Sequence, residues 1–133
     1  MDWTELEALA TRYTAAWCSG EPEAVSAHYA ADGVLTINGG EPNAGRAAVT
    51  EVARSFMATF PDMVLELDRL VDEGDRVAYH WQLTGTNSGL EGVAGNVVRI
   101  SGCERWLINS DGLIEDSLGS FDSADYERQL GLS

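Results

Sequence analysis

Residues 60–86, FPDMVLELDRLVDEGDRVAYHWQLTGT, constrain the fold more than any other stretch of the chain. In the second half Val77, Tyr79, Trp81 and Leu83 alternate with Ala78, His80, Gln82 and Thr84, the period of two expected of a strand with one face on a core. In the first half Met63, Leu65 and Leu67 fall on one face, and Val64, Glu66, Asp68 and Leu70 on the other. Glu73-Gly74-Asp75 supplies a tight turn between the two runs, and the whole predicts a β-hairpin. An isolated hairpin cannot bury its apolar face, so the remaining segments must build a core against it.

Before the hairpin the pattern is helical. Leu6, Leu9, Ala10, Tyr13, Ala16 and Trp17 recur at helix spacing from Trp3 to about Cys18, with Asp2 placed as N-cap. Ser19-Gly20 ends that helix. Pro22 then opens a second, short one over 21–30, on which Val25, His28 and Tyr29 share a face. His28 reads first as a core or interface histidine with a satisfied ring nitrogen, although it could line a cavity. Asp32-Gly33 predicts a turn into the strand GVLTING, which ends at Asn38 before a Gly39-Gly40 loop that could rim a site. Gly45 opens a third helix with an apolar stripe of Val49, Val52, Ala53, Phe56 and Phe60, closed by Pro61.

After the hairpin, Gly85, Gly89, Gly92 and Gly95 space a segment too polar for a continuous strand, which reads as a mobile crossing and a candidate lid. A strand over 96–108, a turn at Asp111-Gly112 and a strand over 113–121 form a second hairpin. Asp122 caps a last short helix. The expected fold class is α+β: a curved antiparallel sheet of about four to six strands with three N-terminal helices and one C-terminal helix.

With 133 residues and 44% hydrophobic content, the chain has the size of a single domain that needs no disulfide or metal to hold its core. Its 22 acidic and 8 basic residues, all eight Arg, leave a net charge of -14. Such a surface repels phosphate backbones and anionic lipid, so neither nucleic acid nor membrane is an expected partner. Cys18 and Cys103 stand apart, without CxxC spacing, as reduced thiols. The opening MDWTELEAL has no basic segment and no long apolar run, and a soluble, cytoplasmic protein is expected. His28 and His80 lack metal-ligand spacing, so no metal is expected.

Three groups could carry chemistry. Glu104 falls on the face of Val98, Ile100, Trp106 and Ile108, where loss of hydration raises a carboxyl pKa, unless a bulge at Gly102 turns it to solvent. Asp116 lies between Ile114 and Leu118 on the strand that should pair with it. If both face inward they could share a proton, and otherwise Asp116 is an exposed edge acid. His80 lies near Glu66 if the central hairpin pairs symmetrically, which makes a general-base pair or a surface ion pair.

The ordered segments AWCSGEPEAV, HYAADGVLTI, GRAAV, FPDM, LVDEGDRVAYHWQLTGTNSG, DGLIED and YERQLGL, which cover nearly the whole chain, resemble the SnoaL-like polyketide cyclases within the NTF2-like superfamily. The resemblance implies a cone-shaped barrel in which the sheet wraps around the helices and an apolar pocket opens at one end. It implies a homodimer, often formed through the sheet, and acid-base chemistry without a cofactor. Aromatic side chains of Trp17, Tyr29, Phe56, Trp81 and Trp106 would suit a flat hydrophobic ligand, with Asn38 at the rim.

The activities of such relatives vary, from aldol-type cyclases and ketosteroid isomerases to epoxide hydrolases and epoxide-opening cyclases. Glu66 falls near the acid that follows FPD in polyether epoxide-opening cyclases, but the partner acid of those enzymes, like the proton-shuttling Asp of ketosteroid isomerases, falls near Ile37 or Asn38. The Asp-Arg-Asp of epoxide hydrolases is not matched around Arg99. The Asp of aldol cyclases falls near Asp116 or Asp122. The implied function is therefore a cyclase or isomerase of a hydrophobic, carbonyl-bearing metabolite such as a polyketide intermediate. The alternatives are a noncatalytic small-molecule binder and an epoxide-opening enzyme. The decision hangs on the 77–83 strand. If Tyr79 and Trp81 face the cone, Glu104 carries the chemistry, together with Asp116 where the two share a proton; if His80 faces it, His80 and Glu66 do.

Overall fold

Helix α1 (Trp3–Trp17) starts where the Asp2 side chain accepts the Glu5 N–H at 2.8 Å, the cap expected from the sequence. The computed structural model describes residues 1–132. The elements that follow are α2 (Pro22–Ser26), β1 (Tyr29–Ile37), β2 (Asn43–Ala44), α3 (Arg46–Thr59), β3 (Val64–Asp72), β4 (Val77–Thr86), β5 (Val97–Ile108), β6 (Ile114–Phe121) and α4 (Ser123–Leu130). The sheet is six-stranded and unclosed, in the order β2-β1-β6-β5-β4-β3. Helix α1 packs on β3, α3 on β1 and α4 on β5. The α+β architecture with three N-terminal helices and a short C-terminal one is as expected, and Asp122 caps α4 by accepting the Asp125 N–H at 3.0 Å.

Three local readings are corrected. First, α2 stops at Ser26 instead of reaching residue 30, and the fully buried Tyr29 is the first residue of β1. Asp32-Gly33 makes an irregularity inside β1, between Tyr29 and Val34, and not a turn before it. Second, the sheet is mixed, because β1 pairs with β6 in parallel while every other pairing is antiparallel. Strands so far apart in the chain have the long connection that parallel pairing needs. Third, the segment after β4 is tied down. Val93 donates to Leu130 O at 2.7 Å, the Asn96 side chain donates to Gln129 O at 3.1 Å, and a Cβ on Gly92 would lie 2.0 Å from the Leu130 carbonyl oxygen. The glycine there serves close packing against the end of α4, which a free lid would not need.

The central hairpin pairs as predicted, with one refinement. A bulge at Asp68 lets Leu67 face Trp81 and Leu70 face Tyr79, so both leucines pack against the core although simple alternation puts them on opposite faces. On the other side β4 and β5 run in register from Val77–Trp106 to Thr86–Val97, straight through Gly102. Glu104 therefore stays on the inner face with Val98, Ile100 and Trp106. Among the described residues no helix is long and apolar enough to cross a membrane.

Candidate functional site

The register of β4 settles which face meets the interior: Tyr79 is fully buried and Trp81 lines a cavity that Glu104 also borders. On the neighbouring strand, Glu104 and Trp106 stand two residues apart and so project from the same face. Both are buried, at 7% and 1% exposure. From β6, Ser117 sits opposite Trp106. From α1, Tyr13 and Trp17 are one helical turn apart and both reach inward. From the start of β1 comes Tyr29.

These residues converge on a single oxygen. Glu104 Oε1 accepts from Ser117 Oγ at 2.8 Å, Tyr13 Oη at 2.9 Å and Trp106 Nε1 at 3.0 Å, and Tyr29 Oη stands 3.4 Å from it. The Tyr13 and Tyr29 hydroxyls lie 2.9 Å apart. Since the one Tyr13 proton goes to Glu104, Tyr29 donates to Tyr13, and the two phenols form a relay ending on the carboxylate. Among the described residues none donates a hydrogen bond to Oε2, and Glu104 forms part of the cavity wall. One oxygen is thus clamped and the other is available.

Burial dominates the electrostatics of this cluster. It raises the Glu104 carboxyl above the ordinary glutamate value, against the lowering effect of its hydrogen bonds. Burial, and then the charge of Glu104, hold the Tyr13 and Tyr29 phenols well above their usual range, so both remain protonated donors. A buried carboxyl with a raised pKa beside a cavity is a candidate proton acceptor and donor.

The cavity in front of Glu104 is walled by Trp17, Leu35, Ile37, Val52, Phe56, Leu65, Trp81, Leu83, Ile100, Gly119 and Phe121, and holds about 50 Å³ of free volume. That is room for a few water molecules. Of the aromatic residues expected to meet a ligand, Trp17, Phe56 and Trp81 do line the cavity. Tyr29 and Trp106 lie behind Glu104, with Trp106 stacked on Tyr79 at a centroid distance of 4.8 Å. Asn38 is exposed and accepts the Phe121 N–H at 2.9 Å, so it pins the end of β6 and is no part of the wall.

The profile of the SnoaL-like domain matches residues 10–117. The chain belongs to the SnoaL-like domain family. A search of curated protein sequences found no match. Among solved structures, TsrD from Streptomyces laurentii is similar at TM-score 0.84 and 24% identity over 100% of this chain and 99% of its own. A protein of ketosteroid isomerase-like fold from Catenulispora acidiphila, in complex with trimethylamine, matches at TM-score 0.80 and 18% identity, over 94% of this chain and 93% of its own. SalBIII, an epoxide hydrolase/cyclase-like enzyme in pyran ring formation in the polyether salinomycin, matches at TM-score 0.79 and 19% identity, over 93% and 95%.

In this SnoaL-like domain the other predicted acid-base groups lie on the outer face of the sheet. A register shift in β6 between Ile114 and Asp116 keeps Ile114 and Ser117 inside and turns Asp116 and Leu118 outward. Asp116 therefore does not face Glu104; its carboxylate meets Arg76 at 2.8 Å. The register running from the turn places Arg69, and not Glu66, opposite His80, whose other neighbour is Cys103, with Sγ 4.0 Å from Nε2. Glu66 is exposed opposite Gln82. His28 is satisfied by the Ala24 carbonyl, 2.9 Å from Nδ1, and packs edge-on to Tyr13. Tyr13 and Ser117, which hold Glu104, are the residues that pattern reading passes over. The one signal for Tyr13 is a hydroxyl on an otherwise apolar helix stripe.

Two outcomes follow here. Asp116→Asn is expected to cost about 1 kcal/mol, the scale of a partly exposed ion pair, and to leave any turnover unchanged; a urea titration and a rate assay check both. The second concerns pH. The folded protein holds the Glu104 proton to a higher pH than the unfolded chain does, so folding loses stability as pH rises from about 4.5 through the folded pKa. Each unit of that rise corresponds to about 1.4 kcal/mol. Urea unfolding of wild type and Glu104→Gln across this range should show the wild type losing ground to the variant and then levelling. A constant difference at every pH would contradict the raised pKa.

Proposed function

We propose that this protein is a cofactor-independent acid-base enzyme, a cyclase or isomerase acting on a hydrophobic, carbonyl-bearing metabolite such as a polyketide intermediate. The observation that carries this is Glu104: a buried carboxylate clamped through Oε1 by Ser117, Tyr13 and Trp106, with Tyr29 behind Tyr13 and Oε2 left to the cavity. Glu104 removes a proton from the carbon next to the carbonyl, and the carbanion equivalent then closes a ring or is reprotonated elsewhere. The Tyr29–Tyr13 relay and Ser117 stabilise the carboxylate before the transfer and fix its direction throughout. The small free volume favours a substrate that presents only its reacting end to Glu104. Similarity to an enzyme of pyran ring formation is consistent with a ring-closing role. The epoxide-opening alternative calls for a second acid, and among the described residues Glu104 is the one carboxylate lining the cavity.

The test is proton exchange in D₂O. Acetophenone and the more acidic benzoylacetone are incubated with the protein, and loss of the α-proton signal is followed by NMR. Exchange faster than buffer, and dependent on Glu104, is the expected result. A wild-type rate equal to buffer for both ketones would sink the proposal and leave the noncatalytic binder.

A further inference from the structure

Among the described residues two side-chain hydrogen-bond donors are buried without a partner: Trp17 Nε1 and Trp81 Nε1. Buried donors are nearly always paired, because an unpaired one forfeits its bond to water for nothing. Among the described residues these are the buried side-chain polar atoms so left, and both indoles stand in the wall of the cavity that holds Glu104. Coincidence of two rare features with a carboxylate in one small space asks for a ligand that supplies acceptors.

Both rings are held in place. Trp17, 7% exposed, lies edge-on between Tyr13 and Phe56, with centroids at 6.4 and 6.1 Å. Trp17 thus packs beside Tyr13, the group that clamps Glu104. Trp81 lies across Gly102, where a Cβ would come within 2.2 Å of Cζ2 and 2.7 Å of Cε2, and meets Phe121 edge-on at 6.1 Å. Indoles fixed by packing lose little freedom when a ligand arrives, which is the condition for preorganised recognition.

We propose that the Trp17 and Trp81 indole N–H groups bind the carbonyl oxygen of the substrate, and that they hold the enolate formed when Glu104 removes the adjacent proton. The C–H electron pair becomes the carbon-carbon double bond, the carbonyl π pair moves onto oxygen, and the proton goes to Glu104. The negative charge develops where the two donors stand. The proposal rests on the acid-base assignment of Glu104 for the enolate, whereas ketone binding by the indoles can be measured without any catalysis.

Acetophenone and α-methylstyrene separate hydrogen bonding from apolar contact, because they share a shape and differ in having C=O or C=CH₂. Protein labelled with ¹⁵N in its tryptophan indoles is titrated with each. Acetophenone should move the Trp17 and Trp81 N–H signals downfield, and α-methylstyrene should not. Trp17→Phe and Trp81→Phe assign the signals, and each should weaken acetophenone about three- to tenfold, the worth of one hydrogen bond, while binding α-methylstyrene as wild type does. Glu104→Gln should still show the acetophenone shifts after losing proton exchange. If exchange fails but the shifts appear, the catalytic assignment falls and the indole site stands. Equal shifts with both compounds, or none up to the solubility of acetophenone, overturn the indole site, and that comparison on the wild type holds even if a variant does not fold.

Discussion

Replacing Glu104 by Gln is expected to slow α-proton exchange of a bound ketone by about 10²- to 10⁴-fold, the usual contribution of a positioned general base. The amide keeps the shape of the carboxylate, and its oxygen can still accept from Ser117, Tyr13 and Trp106, which stand within 3.0 Å of Oε1. The fold should therefore survive, and the loss should appear in the rate constant more than in ketone affinity. Wild-type exchange should rise with pH as Glu104 ionises, at a midpoint above the ordinary glutamate value, and this rise should be missing in the variant. Asp116→Asn, altered on the outer face, serves as the matched control. A Glu104→Gln protein as fast as wild type would remove Glu104 from the chemistry altogether.

The second large effect is expected at Gly102. An added methyl group would lie 2.2 Å from Trp81 Cζ2 and 2.6 Å from the Ser120 carbonyl oxygen. The indole could tilt away, but the Ser120 carbonyl belongs to the strand paired with β5, and moving it would break the ladder around Gly102–Phe121 and Cys103–Ser120. Relief on one side worsens the other. Gly102→Ala should cost about 3 kcal/mol, at the upper end of overpacking penalties, and lower the melting temperature by about 10 °C in a protein of this size. Because Trp81 must move, the Trp81 indole signal should shift in the variant without ligand. A melting temperature within about 2 °C of wild type would show that the sheet can yield there, and that the glycine is not what fixes the indole.

Much of the architecture is legible in the residues. The alternation in β4, the turns at Gly74 and Gly112, and the Asp caps at residues 2 and 122 each express a local preference of the backbone, and each is found where the pattern places it. Glu104 was legible too, as a carboxylate sharing a face with Ile100 and Trp106, provided the strand ran unbroken through Gly102. What alternation misplaces lies just past a bulge. One extra residue at Asp68 brings Leu67 and Leu70 to the same side, and the shift ahead of Asp116 exchanges it for Ser117 as the neighbour of Glu104. A bulge leaves little trace in composition, because any residue can be the unpaired one.

By itself, then, the sequence determined the elements, their caps and turns, and a short set of carboxylates and aromatic rings that could act. Those depend on spacing within a few residues, and the backbone period translates spacing into faces directly. Only the tertiary structure decided which of these carboxylates is buried beside the cavity. Tyr13 and Glu104 are 91 residues apart, and Tyr29 and Glu104 are 75 apart, so no local pattern joins them. Their meeting depends on the register of β5 between β4 and β6 and on the parallel seating of β1 beside β6. Burial, which raises the Glu104 carboxyl and leaves the indole N–H groups of two cavity-lining tryptophans without a partner among the described residues, is a property of that packing alone.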